Sequence, residues 1–116
     1  MSIEIDSEAA EPPYEQVRRQ IAEGAVSGTF PPGHKLPTVR QLAADLALAA
    51  NTVARAYREL EADGVIETHG RRGTFVAGRK LDDVQAAEAA STYARVARRQ
   101  GLSLDEATRL LERGWG

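Results

Sequence analysis

A chain of 116 residues has room for one domain of ordinary size, or a small domain with a short appendage, and excludes a large multi-domain enzyme. The absence of cysteine excludes a disulfide scaffold, a thiolate metal site and a cysteine nucleophile, and fits a reducing compartment. The net charge of −2 hides an uneven spread: residues 36–80 carry seven basic and five acidic groups, while both flanks are net negative, a weak footprint for a polyanionic partner. Of the apolar residues 20 are alanine, so the bulky core rests on a modest set of Leu, Ile and Val with six aromatics, and a partner subunit would help to bury it. No apolar run approaches the roughly 20 residues needed to cross a bilayer, and Met1 to Glu11 is acidic and polar where a signal peptide is basic and then greasy. The expected location is the cytoplasm, with no membrane association.

Residues 1–11 lack periodicity and read as a polar tail. Pro13 suits a first helical turn, and Tyr14, Val17, Ile21 and Ala25 recur at helical spacing, with Ala22 and Val26 beside them. Gly28 closes this helix. The stretch Phe30-Pro31-Pro32-Gly33-His34-Lys35-Leu36-Pro37 is too rich in proline to be helical and reads as a structured connector. Thr38 with Gln41 predicts a capping box opening a short second helix buried through Val39, Leu42, Ala43 and Leu46. After a tight turn at Leu46-Ala47-Leu48, a third helix starts near Ala49 to Asn51. Its core face is Val53, Ala56, Tyr57 and Leu60, and its other side is Asn51, Thr52, Arg55, Arg58 and Glu59. Gly64 is its stop.

The runs Val65–Thr68 and Thr74–Val76 flank His69-Gly70-Arg71-Arg72-Gly73 and predict a hairpin with a basic tip. Three helices and that hairpin make a winged helix-turn-helix. From Leu81 the composition changes: an alanine-rich helix over Asp82 to Gln100 carries an Ala86, Ala89, Tyr93 and Val96 stripe and ends at Gly101. A second capping box, Ser103 with Glu106, opens a last amphipathic helix with Leu104, Ala107, Leu110 and Leu111 on one face. The expected fold is mostly α (α+β), with domains at 1–11 (tail), 12–78 (winged helix-turn-helix) and 79–116 (two-helix appendage).

In a helix-turn-helix the second helix of the motif enters the major groove and the first crosses the backbone. Asn51 and Thr52 at the start of the third helix can hydrogen-bond bases or phosphates, Arg55 lies one turn on, and Arg40 near the start of the second helix can reach the backbone or a base. Read alone, Asn51 and Thr52 are more simply a polar turn and cap, which is what such residues usually are. Arg71 and Arg72 suit a minor groove, whose potential attracts arginine, or form a solvated loop.

The whole pattern resembles the GntR-type bacterial transcription regulators. It appears as Pro13-Tyr14 with Gln16 and Val17, Pro32-Gly33, Leu36-Pro37-Thr38, Arg40, Leu42-Ala43, Asn51-Thr52-Val53, Ala56-Tyr57, Leu60, Gly64, Ile66, Gly70 and Gly73-Thr74-Phe75-Val76, over roughly residues 12 to 77. The resemblance implies DNA binding as a homodimer, with Arg40, Thr52, His69, Gly70 and the start of the third helix at contact positions. The resulting candidate DNA-binding set is Lys35, Thr38, Arg40, Ala50, Asn51, Thr52, Arg55, His69, Gly70, Arg71 and Arg72. One departure is that Ala49 and Ala50 stand where the family usually has a hydroxyl residue and an arginine. That removes a helix cap and a guanine contact typically worth about 1–3 kcal/mol of discrimination.

The short two-helix tail resembles the YtrA-like subfamily, in which such helices mediate dimerisation. The expected dimerisation residues are Val84, Ala86, Ala89, Tyr93, Val96, Leu104, Leu110 and Leu111, the alternative being that the tail packs onto its own winged domain. No nucleophile elbow, P-loop or HExxH occurs, and His34 and His69 are the only histidines, so no enzyme, metal or cofactor is expected. Asp82-Asp83 and Asp105-Glu106 read as acids complementing helix dipoles. The expected function is a repressor on a pseudo-palindromic operator, the third helix in the major groove and the wing in the adjacent minor groove. The other reading is a winged-helix protein-interaction module. Response to a small-molecule effector stays open, its pocket expected at the dimer interface or between tail and winged domain.

Overall fold

The computed structural model describes residues 2–78 and 84–116, and the backbone alone for Val84. The chain divides into two compact units, Met1–Lys80 and Leu81–Gly116, taken in turn. The expected start of the fourth helix at Asp82, with the Asp82-Asp83 pair, lies outside the described residues.

Helix α1 runs Pro13–Ser27 with Pro at its first turn, and it ends on Gly28 in the left-handed region at φ 87°, where glycine bears no Cβ penalty. Val17 and Ile21 are completely buried. The next position on that line is Gly24, and the Phe30 ring lies directly over it: a Cβ at residue 24 would sit 2.2 Å from a ring carbon. Val26, expected on the same face, is instead 53% exposed, because two residues past Gly24 is about 200° further round the helix.

The polar tail expected over residues 1–11 is not a free tail in the structure. Ile3 is buried in the core, and the segment behind it pairs with α1 through glutamine side chains. The Gln20 amide donates to Glu4 O at 2.7 Å and accepts from Glu4 N at 3.0 Å. The Gln16 amide does the same with Asp6, at 2.9 and 2.8 Å, and also donates to Glu11 O at 2.8 Å. Four helical residues advance about 6 Å and two extended residues about 6.6 Å, so the two repeats match and each amide imitates a strand partner.

A two-residue strand, β1 (Lys35–Leu36), follows the proline connector. Helix α2 (Val39–Leu46) is capped by Thr38, whose Oγ1 accepts from Gln41 N at 3.1 Å. Only this half of the expected capping box forms, and the Gln41 side chain stands exposed. The turn into the next helix passes through Ala47 at φ 56°, and its N–H donates to Ala43 O and Ala44 O. Helix α3 (Ala50–Ala62) buries Val53, Ala56, Tyr57 and Leu60, all four expected. The Tyr57 hydroxyl donates to Pro37 O at 2.7 Å, tying α3 to the connector, and burial pushes its pKa well above the ordinary tyrosine range.

Strands β2 (Ile66–Thr68) and β3 (Thr74–Val76) form the predicted hairpin, with a single 3₁₀ turn, Gly70–Arg72, at its tip. β1 completes an antiparallel sheet in the order β1-β3-β2, with Lys35 opposite Phe75 and Leu36 opposite Thr74. β1 has no readable signature, since two residues between prolines cannot display a period of two.

In the second unit, α4 (Val84–Arg99) and α5 (Leu104–Gly114) are joined through Gly101 at φ 80°. The Ser103–Glu106 capping box closes in both directions. The Tyr93 hydroxyl donates to Ala107 O at 2.6 Å. Ala97 and Ala107 are the buried side chains of this hairpin. The sequence reading missed Ala97 and put Ala86, Ala89 and Val96 on the stripe instead. Those three are exposed; Val96 stands about 100° round the helix from Ala97, off the face that meets α5.

Candidate nucleic-acid interface

The site begins with two helix starts. Arg40 sits in the first turn of α2, just behind the Thr38 cap. Ala50, Asn51 and Thr52 form the first turn of α3, with Arg55 one turn further. Ala49 has the extended backbone of an N-cap residue, φ −66° and ψ 144°, but no side chain to cap with. The first N–H groups of α3 therefore lack a side-chain acceptor, and a helix start in that condition favours an anion. Asn51 is exposed and Thr52 half-buried.

The wing is the second component. Its tip is held by His69 N donating to Gly73 O at 2.8 Å and Arg72 N donating to His69 O at 3.1 Å, which leaves the Arg71 and Arg72 side chains exposed. Gly70 (φ 56°) and Gly73 (φ 116°) both need left-handed backbone. At Gly73 a Cβ would also meet the Lys35 side chain at 2.9 Å, so Lys35 reaches along the wing and joins its charge to that of the tip. His69 Nε2 lies 3.1 Å from Glu67 Oε2, and its ring centroid 5.5 Å from that of Phe75.

Ion pairing sorts the cations into two kinds. On α1, Arg18 is bonded to Glu15, and Arg19 to both Glu11 and Glu23. The Arg18 hydrogen bond holds the Glu15 carboxyl below its ordinary pKa. Among the described residues, Lys35, Arg40, Arg71 and Arg72 form no ion pair. Arg18 and Arg19 of α1 are thus committed to carboxylates, whereas Lys35, Arg40, Arg71 and Arg72, all expected to contact DNA, are not.

Arg55 is a special case. Its guanidinium carbon lies 3.6 Å from the centroid of the Tyr14 ring, and its Nε donates to Glu59 Oε2 at 3.2 Å. The sequence reading placed Tyr14 in the core of α1 and saw no link between it and Arg55; residues so far apart in sequence carry no mutual signal. The approach of Lys35 to Gly73 is likewise invisible in the sequence, being created by the pairing of β1 with β3, whereas the Glu67 contact of His69 is a local one between residues two apart.

No cluster of three or more metal-ligating side chains occurs among the described residues, and no described helix is long and apolar enough to cross a membrane.

Comparison with known proteins agrees with this geometry. Residues 13–76 match the model of the bacterial regulatory proteins of the gntR family. The HTH-type transcriptional regulator Rv1152 of Mycobacterium tuberculosis is 48% identical over 109 residues, covering 94% of this chain and 90% of that protein. The HTH-type transcriptional repressor YtrA of Bacillus subtilis is 46% identical over 74 residues, covering 64% of this chain and 57% of that protein. Among solved structures, the AraR DNA-binding domain in complex with its operator ORE1 superposes with a TM-score of 0.55 at 28% identity, over 66% of this chain and 94% of that one. The chain belongs to the gntR family of bacterial regulatory proteins, as a DNA-binding, YtrA-like transcription regulator and not an enzyme.

Proposed function

We propose that the protein is a cytoplasmic repressor that binds a pseudo-palindromic operator as a homodimer. Helix α3 enters the major groove through Ala50, Asn51 and Thr52, Arg40 takes the backbone, and the wing enters the adjacent minor groove through His69, Gly70, Arg71 and Arg72. The observation that carries this reading is the exposure of Lys35, Arg40, Arg71 and Arg72, none with a carboxylate partner, in a fold whose third helix starts uncapped. The operator complex of the AraR domain and the repressor role of YtrA support it by likeness.

Dimerisation through α4 and α5 is part of the same proposal. Leu104, Leu110 and Leu111 stand 82%, 42% and 51% exposed on the hairpin, with Val96 at 45%. An apolar groove of about 280 Å³ runs between the helices, lined by Tyr93, Ala97, Leu102, Leu104, Ala107 and Leu111. Apolar surface of that kind is costly to leave in water, and reading two half-sites requires two copies.

The test is selection of binding sites from random duplex DNA, followed by affinity for the winner at several salt concentrations. Enrichment of an inverted repeat with half-sites about one helical turn apart, and a steep fall of affinity with salt, are the expected results. Arg40→Ala and the Arg71→Ala/Arg72→Ala pair should weaken binding, the pair also flattening the salt dependence. No enrichment at low salt would overturn the reading in favour of a protein-interaction module.

A further inference from the structure

We infer that Arg55 is a phosphate-binding residue of the operator complex and that Tyr14, on a different helix, is the residue that positions it. This inference rests on the DNA-binding reading of α3 and adds a contact on the flank of that helix, supplied jointly by α1.

Three observations lead there. The Arg55 guanidinium carbon sits over the Tyr14 ring, 3.6 Å from its centroid, within the range where an aromatic face attracts a cation. Glu59, one turn further along α3, takes the Nε–H at 3.2 Å. Despite both contacts, the Arg55 side chain remains 55% exposed. A guanidinium has five N–H donors in a rigid plane. With Nε–H used and one face covered, the edge carrying the two terminal nitrogens is the part left open.

That edge is held in a fixed direction. Arginine is normally the side chain with most rotamer freedom to lose on binding, and restraint in the free protein reduces that loss. Arg55 stands four residues after Asn51, on the same side of α3. A group so placed follows Asn51 along the helix while leaning towards α1, and what lies beside a helix seated in the major groove is the phosphate backbone. The ligand class is a phosphodiester oxygen and not a base edge, because Tyr14 belongs to α1, beside α3, and its contact with the guanidinium draws that group towards the flank of α3. The carboxylate of Glu59 does not cancel the site: a phosphate approaches the terminal nitrogens, on the edge away from Nε.

The experiment measures affinity for the selected operator and for a scrambled duplex against salt concentration, for Arg55→Gln, Tyr14→Phe, Tyr14→Leu and the double variant Tyr14→Leu/Arg55→Gln. Thermal melts check that each is folded. Arg55→Gln should weaken both duplexes by a similar factor and reduce the salt slope by about 0.9, the value for one lost phosphate contact. Tyr14→Phe keeps the ring and should bind like wild type. Tyr14→Leu should lose several-fold in affinity, and the double variant should bind no worse than Arg55→Gln alone, the signature of two residues acting through one contact.

An unchanged salt slope in Arg55→Gln, or additive losses in the double variant, would overturn the inference while operator binding itself stands. A loss confined to the operator and absent on scrambled DNA would also overturn it, by making Arg55 a base reader. Absence of duplex binding by the wild-type protein would overturn this inference together with the reading beneath it.

Discussion

Gln16 and Asp6 are joined by a pair of hydrogen bonds in which a side-chain amide does the work of a neighbouring strand: Nε2 to Asp6 O at 2.9 Å, and Asp6 N to Oε1 at 2.8 Å. Gln16 is the only buried polar side chain of the described residues, at 3% exposure, and it is fully paired. Removing it takes the Gln16 partner from Asp6 N and Glu11 O, leaves Asp6 O with Ala9 N alone at 3.3 Å, and releases the segment that carries Ile3 into the core. Gln16→Ala should destabilise the winged domain by about 1–3 kcal/mol. Urea unfolding reads the loss, and faster proteolytic cleavage before Pro12 reads its location. A stable variant with an unchanged cleavage rate would show that the segment is held by Ile3 alone.

Gly24 sets two effects against each other. Helix propensity predicts that Gly24→Ala gains roughly 0.5–1 kcal/mol in a helix interior. The added Cβ, however, would lie 2.2 and 2.4 Å from the Cδ2 and Cε2 carbons of Phe30, and forcing extra volume into a packed site costs typically about 1–3 kcal/mol. The steric term is the larger, and the ring is buried on its other sides, so the variant should melt lower than wild type. A raised Tm would mean that Phe30 swings away without cost.

Ala49 already has the backbone of an N-cap, so Ala49→Ser needs no rearrangement to place a hydroxyl over the first turn of α3. The expected gain is about 0.5–2 kcal/mol, read as a Tm rise of a few degrees in a domain of this size. The same hydroxyl would compete with an anion for those N–H groups. Affinity for DNA measured on the same sample therefore separates the two uses of the helix start.

Acid should weaken the fold through Glu15 and Glu106. The Arg18 hydrogen bond lowers the first carboxyl, and the bonds from Ser103 lower the second. A carboxylate lowered in the native state contributes stability that is present above the ordinary glutamate value of 4.5 and is lost as pH falls through the lower native value. Both groups are largely solvated, so each effect is small. Stability plotted against pH should fall below pH 4.5, and less steeply in Glu15→Gln. An identical slope would show that the Arg18 pair contributes nothing measurable.

The helices, the hairpin and the core of α3 are legible in the sequence because each rests on a local repeat or a cap. Val53, Ala56, Tyr57 and Leu60 announce a face by spacing, and Ser103 with Glu106 announces a helix start. What escapes is whatever depends on a partner far along the chain. Residues 2–6 look like a polar tail until Gln16 and Gln20 are seen beside them. β1 is two residues long and exists only because β3 lies next to it. Ala97 is buried and Val96 exposed because adjacent residues lie about 100° apart on a helix, and the turn at Gly101 decides which face of α4 meets α5. In the candidate site, the charge of Arg55 is visible in the sequence, whereas its orientation is a property of Tyr14.

The division of the cations has a consequence for encounter with a polyanion. Arg18 and Arg19 are neutralised where they stand, and the molecule carries a net charge of −2, so at a distance a nucleic acid meets weak repulsion from most directions. Within the first unit, Lys35, Arg40, Arg71 and Arg72 carry unpaired positive charge over the stretch from β1 to the wing. Within that unit, the separation from the acidic residues of 4–23 makes an electric dipole that the field of a duplex turns before contact. Wrongly oriented collisions are repelled and dissolve quickly, and time is not lost on the bulk of cellular polyanions. On the proposed reading of that stretch, a mildly acidic regulator thereby turns its winged domain towards nucleic acid with the reading surface first.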